Sequence, residues 1–429
     1  AAAAVEHAAG TDRLDAIVPM ITWNDLAYSL DPDNSAPAGG SATSPRTGVF
    51  KYQWAALFTT VGVADGVQDL QALADPARLR TFVDDNCGNF DPRVCTALLE
   101  VAAQGHPSAA SLEFLRSVSV ASYLSDVRVP TLLAQGQADT LFNLQESVAT
   151  YRGLRAQGTP VSLMWQSWGH SDQEPVAGEL DLRHPEASFQ GGQVLAWLDA
   201  YVRGSGRPPA STFSYFRDWV HAATGDAARA YATTPSYPVG RERTLHLSGG
   251  GPAGGALVAD GAAVVPGVSS YSSVAPVGPN HTETSYLDQT GPVTDPPGTA
   301  VRFSTPPLTA PLDVVGSPRL TVTLDAPSVQ ATQAAGPGGQ LVLYAKVYDV
   351  GPDGTVELPH RLISPVRVTD VTTPVTVELP AIVHRFAAGH RLAVVLSGGD
   401  LAYRGATLPQ PVTVRTGGVP GQLTLPVTG

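Results

Sequence analysis

The apolar positions change their spacing twice along the chain, and each change predicts a different architecture. Residues 131–135 (TLLAQ) and 161–165 (VSLMW) are short, mostly apolar runs that each end in a loop, and residues 144–157 between them read as a helix. Buried strand, helix, buried strand is the pattern of a parallel sheet. The segment GGQVLAWLDAYVRG (191–204) adds an amphipathic helix. Near the start, an Ala-rich helix leads through residues 15–19 (DAIVP), expected as a short buried strand, into ITWNDLAYSL. That is half of a strand–helix–strand unit whose first strand is missing. Between about 31 and 125 the texture differs. VFKYQWAALFTTVG, LQALADPARLRTFVDDN, VCTALLEVAAQGH and SLEFLRSVSVASYL repeat apolar residues at three- and four-residue intervals, so this block is expected to be helical and to interrupt the sheet as a cap would.

Past the Gly/Pro-rich stretch 204–209 the chain becomes all-β. RTLHL, RLTVTLDA, QLVLYAKVYDV, PVTVELP, RLAVVLS and PVTVRT are separated by Gly, Pro and Asp turns, the spacing of a sandwich or jelly roll. Residues 249–299 read as a long loop region. The expected fold class is α/β plus β, in four parts: 1–30 and 126–208 as the α/β core, 31–125 as an inserted helical cap, and 209–429 as a β jelly-roll or sandwich domain.

A length of 429 residues agrees with more than one core. The net charge of −12 and the absence of a basic patch argue against a nucleic-acid partner. No apolar run approaches the roughly 20 residues that span a bilayer, so no membrane span is expected. Cys87 and Cys95 lie close together in DDNCGNFDPRVC. They suggest a small disulfide-closed loop and an oxidising, extracellular setting; two unpaired buried thiols are the other reading. Such a bridge would contribute roughly 2–3 kcal/mol. A metal site is not expected, since no second Cys or His pair has ligand spacing.

The chemistry is concentrated after the two strand-like runs. Asp139 follows the first and His170, in WGHS, follows the second. In a parallel sheet such loops lie at the carboxyl ends of the strands, where active sites form. His170 would serve as general base and Asp139 would hold its other ring nitrogen. In α/β-hydrolases the order is Ser, then Asp or Glu, then His, with the Ser in a G-x-S-x-G elbow. No such elbow exists here; GVSSY at 267–271 lacks the second Gly and sits among β turns. Without the Ser, catalysis should fall by roughly 10⁶. The remaining histidines are expected to be structural, and Trp23, Trp54 and Trp168 are candidates for lining a pocket.

VPTLLAQGQADTLFNLQES and WGHS, together with GSPRLTVTLDA, LYAKVYDVGPDG and FAAGHRLAVVLSGGD, resemble the cocaine esterase and X-prolyl dipeptidyl-peptidase family of serine hydrolases over essentially the whole chain. The resemblance implies a partial α/β-hydrolase domain with a cap, a carboxyl-terminal jelly-roll domain, and acyl transfer from small esters or peptides to water, without cofactor or metal. By position Asp139 matches the family acid and His170 the family base. The family serine and the oxyanion-hole tyrosine would lie before residue 1. The chain therefore reads as an amino-terminally truncated, secreted hydrolase whose partner is its own missing amino-terminal segment, inactive by itself. The alternative is a non-catalytic protein that binds peptide or carbohydrate through its β domain.

Overall fold

The structure is a computed structural model, and it describes residues 1–11, 13–35, 46–64, 87, 90–205, 209–273, 280, 282–283 and 291–429. Its first sheet is built from β1 (Thr131–Gly136), β2 (Val161–Gln166), β3 (Phe213–Phe216) and β4 (Tyr231–Thr234), in that spatial order. β1, β2 and β3 run parallel and β4 returns antiparallel. Among the helices, α1 (Ala2–Ala9) and α2 (Leu26–Leu30) precede the capping block of α3 (Tyr52–Ala64), α4 (Pro92–Gln104) and α5 (Ala109–Ser117). The crossovers are α6 (Leu144–Ala156) from β1 to β2 and α7 (Phe189–Tyr201) from β2 to β3.

β1 and β2 are buried at every position, because both faces of the sheet are covered. Leu133, Leu163, Trp165, Phe213 and Tyr215 pack with Leu144, Val148, Tyr151 and Leu154 of α6. On the other face, Ala134, Met164 and Phe216 meet Ala227, Ala230 and Tyr231. The segment expected as a strand at 15–19 does run parallel to β1, but only as isolated bridges from Ile17 to Thr131 and Met20 to Ala134. Pro19 has no N–H to extend the ladder; its carbonyl accepts from Ala134 instead. The segment LQALADPARLRTFVDDN lies outside the described residues.

The division expected at residue 208 is corrected by the sheet. β3 and β4 come from beyond it, so the α/β layer takes chain as far as Thr234. FSYF is only 4 residues long and follows Pro and Gly residues, so nothing in the sequence ties it to the first sheet.

The β domain contains β5 (Arg241–Ser248), β6 (Gly254–Val258), β7 (Gly267–Ser272), β8 (Ala300–Ser304), β9 (Leu312–Gly316), β10 (Arg319–Asp325), β11 (Leu341–Val350), β12 (Val356–Glu357), β13 (Ser364–Val368), β14 (Val375–Glu378), β15 (Ile382–Phe386), β16 (Arg391–Ser397), β17 (Pro411–Thr416) and β18 (Gln422–Thr428). Pairing is antiparallel except between β6 and β8. The buried positions alternate along β10, so Leu320, Val322 and Leu324 enter one core with Leu343, Val366, Val394 and Leu425. β6 and β7 fall inside the stretch read as loop. GGALV and GVSSYS carry too few large apolar residues to show a strand period, yet Gly254 has to be glycine. It sits at φ +123°, and a Cβ there would collide with the backbone carbonyl of Arg302.

The two sheets share packing and hydrogen bonds. Val315, Ala381 and Val383 of the β domain join the core beneath the first sheet. The Gln145 side chain on α6 donates to the Leu379 carbonyl at 3.0 Å and accepts from the Ala381 N–H at 3.2 Å. The Arg367 guanidinium donates to the Gly48 carbonyl at 2.7 Å. Among the described residues no helix is long and apolar enough to cross a membrane.

Candidate active site

The loops leaving β1 and β2 lie side by side because the strands are in register from Thr131–Val161 to Gly136–Gln166. Two glycines permit their closest approach. A Cβ on Gly136 would stand 2.2 Å from the Trp168 carbonyl oxygen, and one on Gly169 would stand 2.7 Å from both the Ala138 carbonyl oxygen and Asp139 Cβ. The Ser171 N–H donates to the Ala138 carbonyl. Ser171 Oγ accepts from the Thr140 N–H at 3.0 Å and lies 2.7 Å from Thr140 Oγ1.

This contact brings the predicted acid and base together. Asp139 is fully buried, and its Oδ2 is 2.8 Å from His170 Nδ1. Its Oδ1 accepts from the N–H groups of Leu141 (3.1 Å) and Phe142 (2.7 Å). Both oxygens are thus committed, and the carboxylate plane is fixed. The His170 side chain keeps 27% of its surface exposed, so its other face is open to a reactant. The Phe142 ring stands edge-on to the imidazole at 5.0 Å, and the Trp54 ring lies 6.4 Å away at a similar angle.

The backbone beneath Asp139 is held by groups that sequence reasoning missed. Buried Lys51 extends Nζ to the carbonyls of Thr140 (2.5 Å) and Leu141 (3.2 Å). Burial lowers its pKa, while Glu283, Asp139 and Glu146 act in the opposite sense. Trp54 Nε1 donates to Thr140 Oγ1 at 3.0 Å. Glu146, on the first turn of α6, accepts from the N–H groups of Asn24 (2.7 Å) and Asp25 (3.1 Å) and lies 2.5 Å from Ser29 Oγ. Burial pushes its carboxyl up to about 8. Ser29 Oγ donates to Glu146 Oε1 and lies 3.1 Å from the Asp25 carbonyl oxygen. The base loop has its own anchor in buried Glu179. That carboxylate accepts from the Ser167 N–H at 2.9 Å, the Ser167 hydroxyl and the Tyr231 hydroxyl.

The three tryptophans separate. Trp23 lines an apolar cavity of about 290 Å³ enclosed with Leu26, Phe58, Phe90, Leu115 and Phe142. Phe142 touches both this cavity and His170. Trp54 faces the imidazole and the acid loop but is not part of the cavity wall. Trp168 does not line this cavity; its Nε1 donates to Gln190 Oε1 at 3.3 Å. Cys87 and Cys95 are joined by a disulfide, which ties the chain before α4 to that helix.

An α/β layer carrying an Asp–His pair at the carboxyl ends of parallel strands, followed by a large β domain, is the architecture of two-domain hydrolases. Residues 2–172 match the family of X-Pro dipeptidyl-peptidases (S15 family), and residues 218–422 match the X-Pro dipeptidyl-peptidase C-terminal non-catalytic domain. Between them these matches take in most of the chain, which belongs to the X-Pro dipeptidyl-peptidase family of hydrolases.

Solved structures share the fold. An aminopeptidase from the marine sediment archaeon Thaumarchaeota archaeon superposes with a TM-score of 0.62 at 16% identity, over 97% of this chain and 73% of that one. A CocE/NonD family hydrolase from Staphylococcus aureus gives 0.60 at 12% identity, over 99% and 69%. An α-amino acid ester hydrolase gives 0.53 at 16% identity, over 89% of this chain and 66% of that one. No curated protein matches the sequence.

Two outcomes follow from this geometry. Gly169→Ala overpacks the loop contact and should destabilise the fold by about 1–3 kcal/mol, seen as a lower urea midpoint, whereas Gly192→Ala, where a Cβ meets nothing within 4 Å, should not. Glu146 has a folded pKa above its ordinary value of 4.5. Its contribution to stability is therefore complete below that value and lost as pH rises through about 8. Urea midpoints at about pH 5 and about pH 9 should fall less in Glu146→Gln than in the parent chain.

Proposed function

We propose that this chain supplies the acid and base of a serine hydrolase that cleaves small acyl esters or X-Pro type peptides through an acyl-enzyme. The observation that carries this reading is the 2.8 Å contact between Asp139 Oδ2 and His170 Nδ1, with Asp139 Oδ1 already bonded to two backbone amides. A carboxylate so fixed accepts a hydrogen bond from Nδ1–H and leaves the Nε2 lone pair available. His170 then takes the proton of an attacking hydroxyl as the acyl bond forms, and returns it to the leaving group. Asp139 stabilises the imidazolium in between.

Among the described residues the imidazole's hydrogen-bond partner is Asp139, and no serine is bonded to it. We place the attacking serine in a segment outside residues 1–429, in a G-x-S-x-G turn. These 429 residues alone are accordingly inactive. The cavity next to Phe142 is almost wholly apolar, which suits an acyl chain or aromatic group better than a charged one. The Cys87–Cys95 bridge supports a secreted protein.

Fluorophosphonate treatment followed by mass spectrometry tests the assignment. The 429-residue chain should take no label. A longer protein that includes the G-x-S-x-G segment should be labelled on that serine, and Asp139→Asn in it should lower kcat by about 10⁴. A labelled serine within residues 1–429, or full activity in the Asp139→Asn protein, would overturn the proposal.

A further inference from the structure

Far along the chain from the acid and base loops, four ionisable side chains meet at one edge of the β domain. β12 ends the path of the large sheet, and its Glu357 is the register partner of Asp349 on β11. Residues directly opposite each other in an antiparallel pair share a face, with Cβ atoms about 4.5–5.5 Å apart, and like charges there repel. Two carboxylates in this relation call for positive charge between them.

Two imidazoles come to the same place. His384 on β15 sets Nε2 3.0 Å from Asp349 Oδ2 and Nδ1 4.0 Å from Glu357 Oε1. His390, in the turn before β16, sets Nδ1 2.8 Å from Asp349 Oδ1. One donor atom from each of Asp349, Glu357 and His384 lies within 4.8 Å of the other two. Asp349 and His384 are largely enclosed, at 5% and 12% side-chain exposure, while Glu357 at 65% faces solvent. The cluster thus has two enclosed members and one exposed one.

We propose that Asp349, Glu357 and His384 bind a divalent first-row transition cation of the Zn²⁺ type, with His390 orienting Asp349 from behind. One imidazole and two carboxylates form a mixed nitrogen–oxygen set that suits Zn²⁺, whereas Ca²⁺ and Mg²⁺ favour all-oxygen cages. With bonds of about 2.0–2.2 Å in a tetrahedral arrangement, two ligands of one ion lie about 3.3–3.6 Å apart. Closing the site therefore requires an inward movement of up to about 1.5 Å, which the exposed Glu357 side chain can make. Three protein ligands leave the remaining coordination to water. The His390 contact matches the outer-shell hydrogen bond that ligating carboxylates usually receive. The cation would also relieve the cross-strand repulsion, locking the end of β12 onto β11.

The sequence conceals this site because its members stand on four separate elements, with no paired spacing of the kind that marks a zinc motif. Its occupation requires no hydrolase activity and is measured without it.

The test is isothermal titration of the chelator-treated 429-residue chain with ZnCl₂ at neutral pH. One Zn²⁺ should bind per chain. His384→Gln should abolish that binding, Glu357→Gln should weaken it at least about tenfold, and His390→Gln should weaken it about 10–100-fold. Glu357 is exposed, so its variant keeps the fold and carries the test if the His384 variant does not. Absence of zinc binding, or equal affinity in the parent chain and Glu357→Gln, would overturn the proposal.

Discussion

The catalytic reading depends on one steric constraint, the close approach of two loops that any side chain at Gly136 or Gly169 would hold apart. The parallel register of β1 and β2 brings the loop ends level. The missing Cβ atoms then let the Trp168 and Ala138 carbonyls pack against them. Only with the backbones so close can Asp139 reach His170 at 2.8 Å while its other oxygen is held by the amides of Leu141 and Phe142. The hydrogen bond is short because the backbone has already placed both partners.

Fixing those loops occupies much of the surrounding polar structure. Lys51, from the helical block, anchors the carbonyls just after Asp139, and its ammonium also lies 6.0 Å from the ring of Tyr403 in the β domain. Tyr403 in turn donates to Glu283. Glu146 ties α6 to the segment 24–29, and Gln145 beside it ties the same helix to the β domain. Lys51, Glu146 and Gln145 each reach a partner on a different element, so the acid loop is braced from the helical block and the β domain together.

How much of this the sequence discloses depends on how a residue announces itself. The strands at 131 and 161 and the helix at 144 are legible because their apolar runs are uniform and their ends are marked by Gly, Asp and Asn. Asp139 and His170 are legible because their loops follow those strands in the order a triad needs. β6 and β7 are not, since Gly, Ser and Ala give no strand period and their backbones pair through close approach instead. β3 is too short to reveal that it continues the first sheet. Lys51 and Glu146 sit inside helical-looking segments, where a charged residue normally reads as solvent-facing; only the tertiary structure shows them buried. The position of Trp168 next to the base says nothing about where its indole points; its Nε1 meets Gln190.

The most direct measurement is the tautomer of His170, read from the two ring ¹⁵N shifts by NMR on the 429-residue chain, with His170→Gln used for assignment. A carboxylate fixed beside Nδ1 should hold the neutral ring with its proton on Nδ1 and a bare Nε2. Asp139→Asn should abolish that preference. A ring carrying its proton on Nε2, or one averaging between tautomers in the parent chain, would contradict the account of Asp139 and His170 as a preorganised acid–base pair.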